Sequence, residues 1–143
     1  MTTTTVLLVD DEQEFVEALA ERLQVRGLNV VTASNGTAAM ERARERVFDA
    51  VLLDMAMPGL DGLETLKGLL AINPDLQVIL LTGKATLQQG VEAMKLGALD
   101  LLEKPADITT LVARIEDAAM RRISLDDERV QQRVSDILRK KGW

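Results

Sequence analysis

The chain contains no cysteine and no histidine. Without cysteine there is no disulfide framework, no thiol nucleophile and no thiolate ligand for zinc or an iron–sulfur cluster. Without histidine the Ser-His-Asp arrangement and imidazole–metal chemistry drop out as well. Carboxylates, hydroxyls, amines and backbone are what remain. Basic charge is also scarce, with 17 Lys and Arg against 23 Asp and Glu and a net charge of −6. Phosphate backbones require a basic face, so this balance argues against direct nucleic-acid binding. Long apolar runs are missing too. The start, Met1-Thr2-Thr3-Thr4-Thr5, lacks both the basic region and the apolar stretch of a secretory signal, and a run such as Val78-Ile79-Leu80-Leu81 falls far short of a membrane span. The expectation is a cytoplasmic protein with no membrane contact.

What is present suits a single globular unit: 143 residues, 47% hydrophobic and 28% charged. A chain of this size can bury roughly 68–70% of its unfolded surface without staples. Short apolar runs recur along it: Val6-Leu7-Leu8-Val9, Asn29-Val30-Val31-Thr32-Ala33, Ala50-Val51-Leu52-Leu53, Gln77-Val78-Ile79-Leu80-Leu81 and Leu99-Asp100-Leu101-Leu102. Three of them are continuously apolar rather than alternating, as in strands of a parallel sheet covered on both faces. The segments between carry helical spacing instead: Phe15, Val16, Leu19, Ala20 and Leu23 make one stripe, and Leu63, Leu66, Leu69 and Leu70 another. Gly27, Asn35-Gly36, Pro58-Gly59 and Gly97 punctuate the pattern where elements should end or begin.

Five successive strand–helix units with right-handed crossovers predict an α/β fold. Its doubly wound five-stranded parallel sheet is of the flavodoxin-like kind, order 2-1-3-4-5, with a crevice between the first and third strands. The fifth helix is expected from about Ile108 to Met120, so residues 1–122 form the domain and 123–143 a C-terminal helical extension or linker. For that extension Ser124 or Asp126 is the expected cap of a sixth helix. Asp126, Asp127 and Glu128 lie in its first turn, Arg139, Lys140 and Lys141 in its last, and Val130, Val134, Ile137 and Leu138 along one side. The stripe fits a helix folded back on its own domain equally with one that pairs with another chain or leads into a further domain.

Polar residues stand where the strands end: Asp10 and Asp11 after the first, Asp54 after the third, Thr82 after the fourth and Lys104 after the fifth. In a parallel sheet all these ends share one edge, and the first and third strands flank the crevice. Three converging carboxylates repel one another unless a cation joins them or protons are taken up. An all-oxygen donor set selects a hard ion that keeps water and phosphate oxygens as further ligands, which suits Mg²⁺. Asp54 is then the candidate nucleophile, a carboxylate able to form an acyl phosphate. Asp10 and Asp11 are candidate metal ligands, and Lys104 and Thr82 candidate partners of the phosphoryl oxygens. Plainer roles exist for single residues: Asp11, with Glu14 three residues on, fits a helix cap, Asp54 a turn and Lys104 a solvated lysine. Those roles do not explain five such residues on one edge.

At these positions the sequence resembles the receiver domain of bacterial two-component response regulators, over about residues 5–122. The likeness lies in Val6-Leu7-Leu8-Val9-Asp10-Asp11-Glu12, in Leu53-Asp54-Met55-Ala56-Met57-Pro58-Gly59-Leu60-Asp61-Gly62, in Leu81-Thr82-Gly83 and in the run from Gly97 to Pro105. The run from Ala93 to Ala98 is most similar to receivers of enhancer-dependent transcription activators. The resemblance implies that Asp54 accepts a phosphoryl group from a sensor histidine kinase or phosphotransfer protein. It implies Mg²⁺ held by Asp10, Asp11, Asp54 and the Ala56 carbonyl, and a cis Lys104-Pro105 bond. It further implies a switch in which Thr82 moves and the surface of the fourth helix, fifth strand and fifth helix changes, for a downstream protein target or a homodimer. With no histidine in these 143 residues, the donating phosphohistidine is expected on another protein.

Two features depart from that pattern or add to it. Leu101 stands where the family usually carries Tyr or Phe, so a hydroxyl-linked coupling to Thr82 is impossible, and readout is expected through shifts of the fourth helix. Lys84, two residues after Thr82, is expected at the mouth of the site. Two rival readings are weaker. A phosphatase of the haloacid dehalogenase type needs a second Asp two residues beyond its nucleophile, whereas Glu12 and Ala56 stand at the two candidate positions. A receiver-like interaction module that is never phosphorylated would have no need of the five residues retained. The protein is thus expected to be a phosphoacceptor and not an enzyme with an external substrate.

Overall fold

The computed structural model describes residues 3–57, 62–83 and 86–141. Strands and helices alternate: β1 (Thr5–Val9), α1 (Gln13–Val25), β2 (Asn29–Ala33), α2 (Gly36–Glu45), β3 (Ala50–Asp54), α3 (Gly62–Ile72), β4 (Val78–Thr82), α4 (Leu87–Leu96), β5 (Asp100–Glu103) and α5 (Ile108–Lys140). The strands form one sheet of order β2-β1-β3-β4-β5, every pairing parallel. This is the flavodoxin-like architecture expected from the sequence.

The continuously apolar runs become the three central strands, and β1, β3 and β4 are buried throughout. Their side chains alternate between two cores. Leu7, Val9, Val51, Leu53, Val78 and Leu80 pack with Phe48, Leu66, Leu69 and Ala93, under α2, α3 and α4. Val6, Leu8, Ala50, Leu52, Ile79 and Leu81 pack with Val16, Leu19, Leu23, Leu111 and Ile115, under α1 and α5. A one-residue slip of any central strand would exchange the two sets, so the register is fixed from both faces. Of the expected stripes, Val16, Leu19 and Leu23 are buried on α1, and Leu66 and Leu69 on α3.

Local signals set the boundaries. The Asn35 side chain accepts from the Ala38 N–H at 2.8 Å and caps α2. Gly97 ends α4 at φ +119°, a left-handed conformation that costs glycine little. The Asp107 carboxylate accepts from the Thr110 N–H at 3.1 Å and caps α5. The expected Asp11 cap of α1 is not used. The Asp10 carboxylate takes the Glu12 N–H at 3.0 Å in a local turn, and the helix begins one residue later, with Glu12 at the cap position and no side-chain cap bond. The turn expected at Pro58-Gly59 lies outside the described residues.

The expected break between a fifth and a sixth helix is absent. α5 runs unbroken for 33 residues, about 50 Å at the usual rise. No glycine or proline occurs within it, and Ser124 and Asp126, which would cap a new helix, lie in its interior. Where the domain meets the extension, α5 is tied to the amino-terminal edge of the sheet. Arg122 bonds the Asp49 carboxylate at 2.8 Å, and Arg129 pairs with Asp75. Val130, Val134, Ile137 and Leu138 remain 41–59% exposed, so the stripe is not folded back onto its own domain.

Asp49 is the stronger of these anchors, because its second oxygen accepts from the Thr5 N–H at 2.7 Å and so joins α5 to the start of β1. Asp49→Ala leaves a half-buried guanidinium and a backbone N–H without their partner. The expected loss is about 1–3 kcal/mol in urea denaturation, and a change below about 0.5 kcal/mol would contradict this role.

Candidate functional site

β1 and β3 end side by side, with Val9 in register with Leu53, and each strand delivers an aspartate at its carboxyl end. The same local device orients both. The Asp10 carboxylate accepts from the Glu12 N–H, and the Asp54 carboxylate accepts from the Ala56 N–H at 3.3 Å. Each aspartate thereby holds its own turn with one oxygen and leaves the other to face the crevice, where that of Asp10 accepts from Lys104. Asp10 and Asp54 are 2% and 3% exposed, whereas Asp11 is exposed to solvent. One carboxylate oxygen from each of Asp10, Asp11 and Asp54 lies within 4.8 Å of the others. That all-oxygen set, open on its Asp11 side, could hold a hard metal ion.

Lys104 enters from the other side of the sheet edge. Its backbone N–H donates to the Thr82 carbonyl at 2.7 Å, extending the β4–β5 pairing by one residue, and the Lys104-Pro105 bond is cis. Its ammonium donates to Asp10 Oδ2 at 3.2 Å and lies 3.4 Å from Asp54 Oδ1. One cation therefore serves two buried anions. Burial pushes the Asp54 carboxyl above its ordinary range, the Asp10 carboxylate pushes the same way, and Lys104 and the Ala56 N–H pull back without cancelling them. Burial alone would lower the Lys104 ammonium, but Asp54 and Asp10 together raise it.

Thr82 sits at the end of β4, fully buried, and its hydroxyl finds no hydrogen-bond partner among the described residues. Its methyl group faces α4 instead. A Cβ built on Gly90 would come within 2.9 Å of Thr82 Cγ2 and 2.7 Å of Leu101 Cδ1, so α4 lies directly on the Thr82–Leu101 pair. The sequence-predicted set thus separates in space. Asp10, Asp11, Asp54 and Lys104 meet, with Ala56 contributing its N–H to Asp54. Thr82 shares their edge but donates to none of them. Lys84 lies outside the described residues.

Two neighbours were not singled out as site residues by the sequence. The Phe15 ring, read there as part of the α1 core stripe, has its centroid 4.5 Å from the Lys104 ammonium. Thr86 closes the loop before α4, its hydroxyl accepting from the Gly83 N–H at 3.1 Å. Neither carries a sequence signal beyond its residue type.

Comparison with known proteins shows the family and the fold. The response regulator receiver domain family matches residues 6–116. The transcriptional regulatory protein ZraR of Escherichia coli K12 is 42% identical over 123 residues, which cover 86% of the chain but only 28% of ZraR. A receiver domain protein from Clostridium thermocellum superposes with a TM-score of 0.82 at 34% identity, covering 85% of the chain and 98% of that structure. Full-length FixJ from B. japonicum gives 0.81 at 31% identity, covering 98% of the chain and 70% of that structure. The chain spans about a quarter of the length of its ZraR relatives.

The charge imbalance has a measurable consequence in metal-free protein. Since folding raises the Asp54 pKa, the folded state prefers the protonated acid. The cost of ionising Asp54 is absent below the ordinary carboxylate range and grows as pH rises through its folded pKa. Asp54→Asn removes that cost, so the variant should be more stable than the parent at pH 7, with an advantage that shrinks toward pH 4. Equal stability at both pH values in urea denaturation, or an advantage only in acid, would contradict the assignment.

Proposed function

The chain belongs to the response regulator receiver family, and from that membership and the geometry of the acidic crevice we propose that it is a signalling switch phosphorylated on Asp54. The phosphoryl donor is a phosphohistidine on a separate sensor kinase or phosphotransfer protein. An Asp54 carboxylate oxygen attacks phosphorus, the phosphorus–nitrogen bond to the donor imidazole breaks, and an acyl phosphate remains. Attack requires the ionised carboxylate, which the Lys104 ammonium favours from 3.4 Å away. The same ammonium is placed to follow charge onto a phosphoryl oxygen as it develops. Asp10, Asp11, Asp54 and the Ala56 carbonyl would hold Mg²⁺, which when bound supplies neutralisation of the phosphoryl oxygens. The convergence of three carboxylates and one shared lysine is the observation that supports this reading.

The output follows from Thr82. Its buried hydroxyl lacks a partner among the described residues, and a phosphoryl oxygen at Asp54 offers one on the neighbouring strand. A turn of Thr82 toward it moves the methyl group against which α4 and Leu101 are packed, with the missing side chain of Gly90 making room for both. Leu101 has no polar tip to follow the hydroxyl, so the change is read through the position of α4. The α4-β5-α5 surface then meets a downstream protein target. Residues 1–122 act as the switch and 123–143 as its helical extension. Ile123, Val130, Val134 and Ile137 lie exposed at spacings of seven, four and three, the pattern of a helix-pairing seam, and this supports pairing of two copies along α5.

Three outcomes check these statements. With acetyl phosphate and Mg²⁺, the parent protein should gain the mass of one phosphoryl group and Asp54→Asn none. A gain in neither would leave an interaction module that is never phosphorylated. Beryllofluoride should shift the backbone resonances of residues 86–103, and unchanged resonances there would overturn the α4 readout. In sedimentation equilibrium the full chain should self-associate and a chain ending at residue 123 should not, whereas a dimer indifferent to that deletion would exclude the extension as its cause.

A further inference from the structure

The Lys104 ammonium has three N–H donors and a long, flexible stem. Asp10 and Asp54 account for two sides of it, at 3.2 Å and 3.4 Å. The side chain is still 24% exposed, so a competing position in open water is within its reach. On the remaining side stands Phe15, in the first turn of α1, half-buried, with its ring centroid 4.5 Å from Nζ. The negative face of an aromatic ring attracts an ammonium and replaces part of its lost hydration, which an aliphatic side chain of similar size does not do.

We propose that Phe15 is a positioning residue whose aromatic face holds the Lys104 ammonium at the junction of Asp10 and Asp54 and thereby sets the rate at which Asp54 is phosphorylated. The proposal rests on the phosphoacceptor reading of Asp54. Among the described residues three fixed partners surround the cation where two would let it swing outward: a buried carboxylate just after β1, a buried carboxylate at the end of β3 and a ring on α1. The three elements meet at the crevice, so the lysine is centred before any phosphoryl donor arrives. Phe15 and Lys104 also line, with Pro105, Leu19 and Ile108, a cavity of about 270 Å³ on the α1–α5 side of the sheet. That space tolerates small changes of shape at position 15, so substitutions there can be read without overpacking the core.

The test compares Phe15→Leu, which keeps apolar bulk without a π face, with Phe15→Tyr, which keeps the face. Both are made in the parent and in Lys104→Met, and phosphorylation by acetyl phosphate with Mg²⁺ is followed by intact mass. Phe15→Leu should slow the parent about fivefold, and Phe15→Tyr should stay within about twofold of it. In the Lys104→Met background Phe15→Leu should change the rate by less than about twofold, because the group it acts through is gone. Urea denaturation of the metal-free proteins should show the same non-additivity, with Phe15→Leu costing less when Lys104 is already Met. A parent rate in Phe15→Leu, equal slowing in both backgrounds, or a tyrosine variant as slow as the leucine one would each overturn the proposal. A parent that takes no phosphoryl group would instead sink the reading of Asp54. The metal-free stability cycle still separates that failure from the absence of a Phe15–Lys104 contact.

Discussion

One lysine between two buried aspartates is the constraint on which the rest depends. Asp10 and Asp54 are nearly inaccessible, and the Lys104 ammonium that reaches both cannot fully neutralise them. An isolated buried carboxylate is costly, and a second beside it raises the cost, so the metal-free site is held in an unfavourable state by the surrounding fold. That unfavourable state makes the site receptive. A cation among the carboxylates or a phosphoryl group on Asp54 with its own oxygens facing Lys104 relieves what the resting structure cannot.

The fold creates the constraint by topology and enforces it by packing. Asp10 and Asp54 are forty-four positions apart in the chain, yet parallel pairing brings the ends of β1 and β3 together, and two apolar cores prevent either strand from slipping. Lys104 is placed by its own backbone bond to the end of β4, and the ring of Phe15 closes the side of its ammonium that the two aspartates leave open. The same β4 end carries Thr82, whose methyl lies under α4, so the charged crevice and the outer helix share one residue. At the opposite edge of the sheet, Asp49 and Asp75 hold α5 by Arg122 and Arg129, and the apolar stripe of the extension stays turned outward.

Much of this was legible in the chain because the signals were redundant. Continuously apolar strands, helical stripes between them and turn residues at their ends all pointed to one topology, and the topology rule then put the polar strand ends together. The misreadings came from local signals with two physical meanings. Ser124 and Asp126 cap helices in other settings, but nothing before them breaks α5, and good helix formers on both sides carry the helix through. Asp11 had a capping-box partner in Glu14, yet Asp10 forms a local turn with the Glu12 N–H and the helix starts at Gln13, with Glu12 at the cap position. Phe15 carried the periodicity of a core residue. Its proximity to an ammonium eighty-nine positions away depends on how α1 and the β5–α5 loop meet, which periodicity does not encode.

The central claim is that Asp54 is held in an electrostatically unfavourable position that its neighbours only partly relieve. Titration of the Asp54 side-chain carboxyl by carbon-13 NMR in metal-free protein reads this directly. The account predicts a midpoint above the ordinary aspartate range, raised by burial and Asp10, that falls when excess Mg²⁺ is present. A midpoint at or below the ordinary range without metal would mean that Lys104 already satisfies both carboxylates, and would contradict it.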